Sequence, residues 1–276
     1  DDDEINELGE SINMMSDKLE TTINQLRSTN IELERDIEKK SKIDEMRKSF
    51  ISDVSHELKT PIALIQGYSE GLLENVNDDP ESRKFYAEVI LDETNKMDKM
   101  VRQLIELTKL EYEKREFNNR TFNIVELEKE IVRTSKVMID EKQTEVIFET
   151  PDKIDVFADD MYLSQIITNY LTNAIKHVKD VDGEKYIKIT NVVLQDKQKA
   201  RVTVFNTGEN ISEENLNRIW NRFFKADEAR NRDDGGSGIG LSIVRAIMNN
   251  YGNDYGVKNK PKGVEFYFEV DLQSGQ

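Results

Sequence analysis

Ser55-His56-Glu57-Leu58-Lys59-Thr60-Pro61 is the stretch from which the chain reads outward. It holds one of two histidines, with an acid one residue on and a hydroxyl four residues on. Four residues is about one helical turn, so His56 and Thr60 share a face. Pro61 lacks the N–H that would bond the carbonyl of Glu57, and a helix is expected to bend there. Phe50, Val54, Leu58, Ile62, Ile65 and Leu72 mark an apolar seam through the same stretch. His56 is two residues from both Val54 and Leu58, about 200° around the helix from each, so its imidazole points away from the seam. A lone histidine is commonly a satisfied core residue, but this position is wrong for that role.

Upstream, Ile5, Leu8, Ile12, Met15, Leu19 and Leu26 follow the three-four spacing of a coiled-coil seam. The register then falters. Leu33 and Ile37 are four apart, Ile43 comes six later, and Met46 and Phe50 resume the alternation. Such phase breaks alter supercoil winding, and both a solvated spacer and a switchable transmission rod fit the pattern. Downstream, Asn75 to Pro80 is turn-forming. A second helix is expected from Glu81 to Glu113, with Ile90, Met97 and Leu104 at sevens and Tyr86, Met100 and Leu107 at the alternate positions. Two such helices make an antiparallel hairpin that cannot bury its stripe alone. Two hairpins make a four-helix bundle, so a homodimer is expected. The methionines read as core filler.

Composition narrows the rest. The chain has 276 residues, 37% hydrophobic and 34% charged, with net charge −16, which is room for roughly two domains with a part in exposed helical rod. The acidity argues against nucleic acid as a partner, because phosphate backbones are met by basic patches. The absence of cysteine excludes disulfides and thiolate zinc sites. Two histidines far apart disfavour a histidine metal cluster. No apolar run approaches the roughly 20 residues of a membrane span, and no signal peptide is visible. The chain opens in Asp1-Asp2-Asp3 within helical signal, so it is expected to be part of something longer.

After a polar linker, Lys114 to Arg120, the periodicity changes. Asn123 is expected to cap a helix ending near Lys142, and Asp159 or Asp160 one ending near His177. Strands are expected at 145–149, 155–158, 185–194 and 201–205, then a short helix from Ser212 to Trp220 and a helix from near Gly238 to Asn250. A hairpin of 254–259 and 264–271 closes the chain. This half reads as an α+β sandwich, one mixed sheet under a helical layer.

Three stretches here ask for more than packing. On the helix Gln165 to His177, Asn169, Asn173, Lys176 and His177 share a face. Asparagine is a mediocre helix former, amide oxygens can ligate Mg²⁺, and Lys176 could meet a phosphate; an exposed polar face is the alternative. Asn206-Thr207-Gly208-Glu209-Asn210 follows a strand, where glycine permits a sharp turn or a close approach. Gly235-Gly236-Ser237-Gly238-Ile239-Gly240-Leu241 opens a helix whose free N–H groups suit phosphate. It is not a Gly-x-x-x-x-Gly-Lys-Ser/Thr loop.

In this order and at these separations, the stretches resemble the nucleotide-binding domain shared by sensor histidine kinases, gyrase and MutL-type ATPases. The asparagine helix is similar to that superfamily's N box, Asn206-Thr207-Gly208 to its first glycine box, Trp220-Asn221-Arg222-Phe223-Phe224 to its phenylalanine box, and Gly236-Ser237-Gly238-Ile239-Gly240-Leu241 to its second glycine box. Ser55 to Pro61 resembles the phosphoacceptor box of bacterial sensor histidine kinases. Residues 3–19 resemble the second helix of a HAMP linker.

The resemblance implies a HAMP helix at 1–20, a signalling coiled coil at 21–43, a dimerisation and phosphotransfer hairpin at 44–113, a linker at 114–120 and an ATP-binding domain at 121–276. It implies Mg²⁺ on Asn169 and Asn173, and nucleotide contacts from those two and from Lys176, His177, Asn206, Gly208, Arg222, Phe224, Gly236, Gly238, Ile239, Gly240 and Leu241. Residues 221–236 would form a lid over ATP. The first glycine box usually opens with an aspartate that binds the adenine amino group. Asn206 keeps an acceptor there but no charge, and Asn210 stands where a second glycine is usual. The implied activity is ATP-dependent phosphorylation of His56, with Glu57 assisting, then transfer to an aspartate of a response regulator. Glu57-x-x-Thr60 also resembles a phosphatase motif in which the hydroxyl orients water. The implied setting is the cytoplasmic part of a membrane-anchored plasma-membrane sensor. An ATPase without phosphotransfer and a silent dimeric scaffold remain the rival readings.

Overall fold

The structure is a computed structural model that describes residues 2–74, 79–112, 117–225 and 237–273. The expected turn at 75–80 and linker at 114–120 therefore lie partly outside the described residues. The chain divides into two units, residues 1–57 and 58–276.

The first unit lies on helix α1 (Asp2–Leu73). Its seam residues Ile12, Met15, Leu19 and Leu26 are 57, 72, 63 and 65% exposed. Among the described residues of this unit nothing covers the stripe. Phe50 and Val54 are half-buried, and His56 is exposed. Ser55 Oγ donates to the carbonyl of Ile51 at 2.7 Å, the back-bond by which helical serines satisfy themselves.

In the second unit α1 continues through Pro61, which is buried, with Leu58, Ile65 and Leu72 half-buried. Ile62, expected in the seam, is 49% exposed. Helix α2 (Pro80–Tyr112) starts on proline, whose missing N–H is harmless in a first turn; Asp79 Oδ1 accepts from Ser82 N at 2.9 Å and caps that end. At the hairpin's base Tyr68 meets Tyr86 edge-on with ring centroids 5.2 Å apart.

The remainder is a five-stranded sheet in the order β2-β4-β5-β7-β6 (Glu145–Glu149, Tyr186–Leu194, Lys199–Thr207, Gly263–Asp271, Tyr255–Lys260). Only β2 with β4 is parallel. Alternate residues, Ile187 and Ile189, Val202 and Val204, Phe266 and Phe268, are buried, as strand periodicity requires. Helices α5 (Asp160–His177) and α6 (Gly240–Tyr251) pack together, and α3 (Ile124–Thr134) packs on α5. Tyr170, fully buried on α5, satisfies its hydroxyl by donating to the Tyr267 carbonyl at 3.1 Å.

Three sequence expectations change. The helix from Asn123 breaks at Ser135 into α3 and α4 (Lys136–Glu141). The Ser135 N–H is shared between the Ile131 and Val132 carbonyls, at 3.0 and 3.2 Å, a tightened last turn at two poor helix formers, Thr134 and Ser135. The expected helix from Ser212 to Trp220 is only turns and a 3₁₀ turn (Arg218–Trp220). Two asparagines in that region, Asn215 and Asn217, weaken a helix, and Trp220 is held by tertiary contact, edge-on to Tyr255 at 4.9 Å. The end of the expected linker is docked structure. Phe117 stacks on Tyr251 with centroids 4.3 Å apart, and β1 (Arg120–Asn123) pairs antiparallel with β3 (Asp155–Ala158). A run of charge and amides hid one aromatic anchor.

One buried acid stands out. Glu128 of α3 is 0% exposed and accepts from Asn191 Nδ2 of β4 at 2.8 Å. Its Oε1 and the Asn191 Oδ1 are buried without a hydrogen-bond partner among the described residues. Desolvation pushes this carboxyl up to about 7, against the hydrogen bond from Asn191. The folded state therefore holds a proton that the unfolded chain releases near pH 4.5. The stability this group contributes is full below that pH and is lost as pH rises through 7. Glu128→Gln is expected to abolish that component. Its urea stability relative to wild type should rise by on the order of 3 kcal/mol between about pH 4 and 8, and parallel pH curves for the two proteins would refute the assignment.

Candidate active site

The site is built where the C-terminal half of α5, the end of β5 and the start of α6 meet. Helix α5 is fixed at its start by Asp159, whose Oδ1 accepts from Met161 N at 3.1 Å and whose Oδ2 accepts from Asn118 N at 3.0 Å. The inward face, Ile166, Ile167, Tyr170, Leu171, Ala174 and Ile175, is buried. That burial sets the rotation of the helix and leaves Asn169, Asn173 and Lys176 half-buried at its margin and His177 exposed.

Asn169 meets the first turn of α6. A Cβ on Gly240 would stand 2.6 Å from Asn169 Oδ1, so an amide oxygen lies against a helix N-terminus, where backbone N–H groups are unpaired and the dipole is positive. The turn into α6 is also backbone-tight. Gly238 has φ +68, and a Cβ there would stand 2.7 Å from Phe223 Cα. Phe223 itself has φ 59, and its N–H donates to the Gly238 carbonyl at 2.9 Å. Phe223 was not among the expected site residues, although the phenylalanine box contains it. Its role is in backbone shape, which residue type does not advertise.

The end of β5 closes the other side. Asn206 is 3% exposed and donates through Nδ2 to the Thr207 carbonyl at 3.1 Å. Thr207, 0% exposed, donates through Oγ1 to the Lys179 carbonyl at 2.8 Å and accepts from Tyr186 N at 3.2 Å. A Cβ on Gly208 would stand 2.7 Å from the His177 carbonyl, so strand end and helix end touch backbone to backbone. Thr207 is a positioning residue that sequence reasoning passed over; a threonine inside a glycine box gave no separate signal.

Of the other expected residues, Phe224 is half-buried with the Arg218 guanidinium 4.9 Å from its ring centroid. Arg222 is ion-paired with Glu111 of α2. Ile239 is 0% exposed and its side chain belongs to the core; its N–H faces Ser237 Oγ at 3.4 Å. Leu241 is half-buried. Gly236 and most of the expected lid, 226–236, lie outside the described residues. His56 is exposed and Glu57 half-buried on the first unit's helix, and Thr60 is exposed in the second unit.

This donor set fits a magnesium nucleotide. The Asn169 amide oxygen lies 2.6 Å from where a Cβ of Gly240 would stand, against the unpaired N–H groups of the first turn of α6, and Asn173 and Lys176 follow half-buried on the same helix. Among the described residues no three His, Cys, Asp or Glu side chains cluster to hold a metal.

Comparison with known proteins bears on both regions. Residues 46–113 match the family model of the His Kinase A (phospho-acceptor) domain, and residues 158–274 that of the histidine kinase-, DNA gyrase B- and HSP90-like ATPases. The sensor protein SrrB of Staphylococcus aureus is 29% identical over 238 residues, 86% of this chain and 40% of SrrB. The chain thus spans about 40% of the length of the curated relatives it matches. The histidine kinase ThkA, solved in complex with the response regulator protein TrrA, is 29% identical with a TM-score of 0.64, covering 82% of this chain and 61% of that one. Full-length ShkA, solved with AMPPNP, shares the fold at 23% identity and a TM-score of 0.61, over 80% of this chain and 45% of that one. With a phosphoacceptor domain followed by an ATPase domain, the chain belongs to the sensor histidine kinases of two-component systems.

Proposed function

We propose that the chain phosphorylates His56 from ATP and passes the phosphoryl group to an aspartate of a response regulator. The observation that carries the reading is the convergence of Asn169, the Asn206–Gly208 turn and the Gly238–Gly240 loop at one edge of α5 and α6, together with an exposed His56. Asn206 would accept from the adenine amino group through its amide oxygen, the arm not engaged by Thr207. Lys176 and the first turn of α6 would take phosphate oxygens, and Asn169 and Asn173 would hold Mg²⁺, which supplies charge neutralisation at the phosphates.

One ring nitrogen of the neutral His56 imidazole attacks the γ-phosphorus. The N–P bond forms as the bond to the β,γ-bridging oxygen breaks, and ADP leaves. Glu57 accepts a hydrogen bond from the other ring N–H, orienting the ring and stabilising its developing positive charge. A regulator aspartate then attacks the phosphorus and His56 leaves as the neutral ring. ThkA, crystallised with a response regulator, supports a partner of that kind. Thr60, an exposed hydroxyl one turn from His56, would orient water against the regulator's phosphoaspartate in the reverse direction.

The apolar surface supports a homodimer. Leu91, Val101 and Ile105 of α2 are 60, 41 and 53% exposed, and Ile62 and Leu64 of α1 are 49 and 40% exposed. Stripes of that kind on two adjacent helices are what a four-helix bundle buries. No helix among the described residues is long and apolar enough to cross a membrane; the proposed anchoring and the HAMP reading rest on the resemblance of residues 3–19.

Incubation with γ-labelled ATP is expected to give acid-labile, base-stable phosphate on the protein that His56→Gln abolishes. Hydrolysis without label would favour a simple ATPase, and no nucleotide binding would favour a scaffold. Thr60→Ala should retain autophosphorylation and lose dephosphorylation of the regulator; equal loss of both would sink that division of labour. Gly240→Ala should weaken Mg·ATP binding on the order of tenfold or more, because the new Cβ displaces Asn169. Calorimetric titration reads this, and unchanged affinity would remove Asn169 from the site.

A further inference from the structure

Helix α2 does more than complete the hairpin. Its last turns lie on α6, with Leu104, Leu107 and Leu110 at 9, 1 and 2% exposure and the Asn250 Nδ2 donating to the Leu110 carbonyl at 2.8 Å. Two polar ties reach further, to residues next to Phe223 and Gly238, whose backbones are bonded to each other. Ser237, immediately before Gly238, donates through Oγ to Gln103 Oε1 at 2.8 Å. Arg222, in the phenylalanine box, is ion-paired with Glu111, with the two side chains 15 and 21% exposed.

We infer that Glu111 competes with nucleotide phosphate for Arg222, so that ATP binding and the docking of α2 on the ATP-binding domain weaken each other. The inference rests on the nucleotide reading of Arg222 above. Its chemistry is general. A guanidinium cannot lose its charge, and its planar fork fits carboxylate and phosphate by the same two N–H groups. The Arg222 Nη2 held on the Glu111 carboxylate is therefore withheld from a phosphate. The pair is shielded from solvent, so salt screens it less than an exposed pair. Removing Arg222 from Glu111 leaves a carboxylate that is 21% exposed without that partner and loosens one of the two polar ties. By reciprocity, whatever factor the docked α2 takes from nucleotide affinity, nucleotide takes from docking. Glu111 acts through Arg222 and is a positioning residue; it has no place in phosphoryl transfer.

The test is titration of the 276-residue chain with Mg·AMPPNP. Glu111→Gln keeps shape and hydrogen-bonding capacity and removes the charge. It is expected to tighten affinity about fivefold or more. In the Arg222→Gln background the same change should have no effect, because the competed group is gone. Hydrogen exchange supplies the reciprocal readout, with AMPPNP speeding amide exchange over residues 103–112 of the wild type. Unchanged or weaker affinity in Glu111→Gln overturns the inference. So does equal tightening with and without Arg222, or slower exchange in α2 on binding. If the wild type binds no AMPPNP at millimolar concentration, the nucleotide reading itself falls; if it binds and Glu111→Gln matches it, only the competition falls.

Discussion

The approach of α6 to α5 at Gly240 governs the ATP-binding half. Helix α6 can begin beside Asn169 only because no Cβ stands between them; one would lie 2.6 Å from the amide oxygen. That contact puts a helix N-terminus, with its unpaired N–H groups, beside the Asn169 amide. The turn feeding it is equally constrained, with Gly238 and Phe223 both at positive φ and bonded to each other through backbone. At such a spot the favourable electrostatics of the helix end and the small size of glycine are one design: a bulkier residue would fill the space and cover the donors.

The core beneath is apolar and ordinary, and its exceptions are informative. Glu128 and Asn191 form a buried pair in which two acceptor oxygens go unmatched, and a proton on the acid is the cheapest way to relieve that in a low-dielectric setting. Thr207 solves the opposite problem. Its hydroxyl ties β5 to the chain leaving α5 and to the first residue of β4, so the end of the strand that carries Asn206 is held from two sides. The helical half has a different deficit. Many of its apolar side chains are bare in one chain, the surface on which the proposed homodimer rests.

Docking of α2 on α6 ties the helical hairpin to the nucleotide site by a mixture of buried leucines and two polar links, Ser237 to Gln103 and Arg222 to Glu111. The apolar part gives affinity without direction. The polar part touches residues that flank the nucleotide loop, so a change at one end has a physical route to the other.

Much was legible in the sequence because it is written in local rules. Heptads give the helices, Asn123 and Asp159 cap theirs as expected, and the order of asparagine helix, glycine turn and glycine loop points to the nucleotide fold. The outward placement of His56 follows from counting residues around a helix. What the sequence did not determine depended on partners far away in the chain. Ser212 to Trp220 stays irregular around Trp220, which Tyr255 holds edge-on. Phe117 turns a polar linker into docked structure through Tyr251, more than a hundred residues on. The pairing of Arg222 with Glu111 is of the same kind. Periodicity is a property of neighbours along the chain, whereas which charge meets which is decided only when packing brings distant elements together.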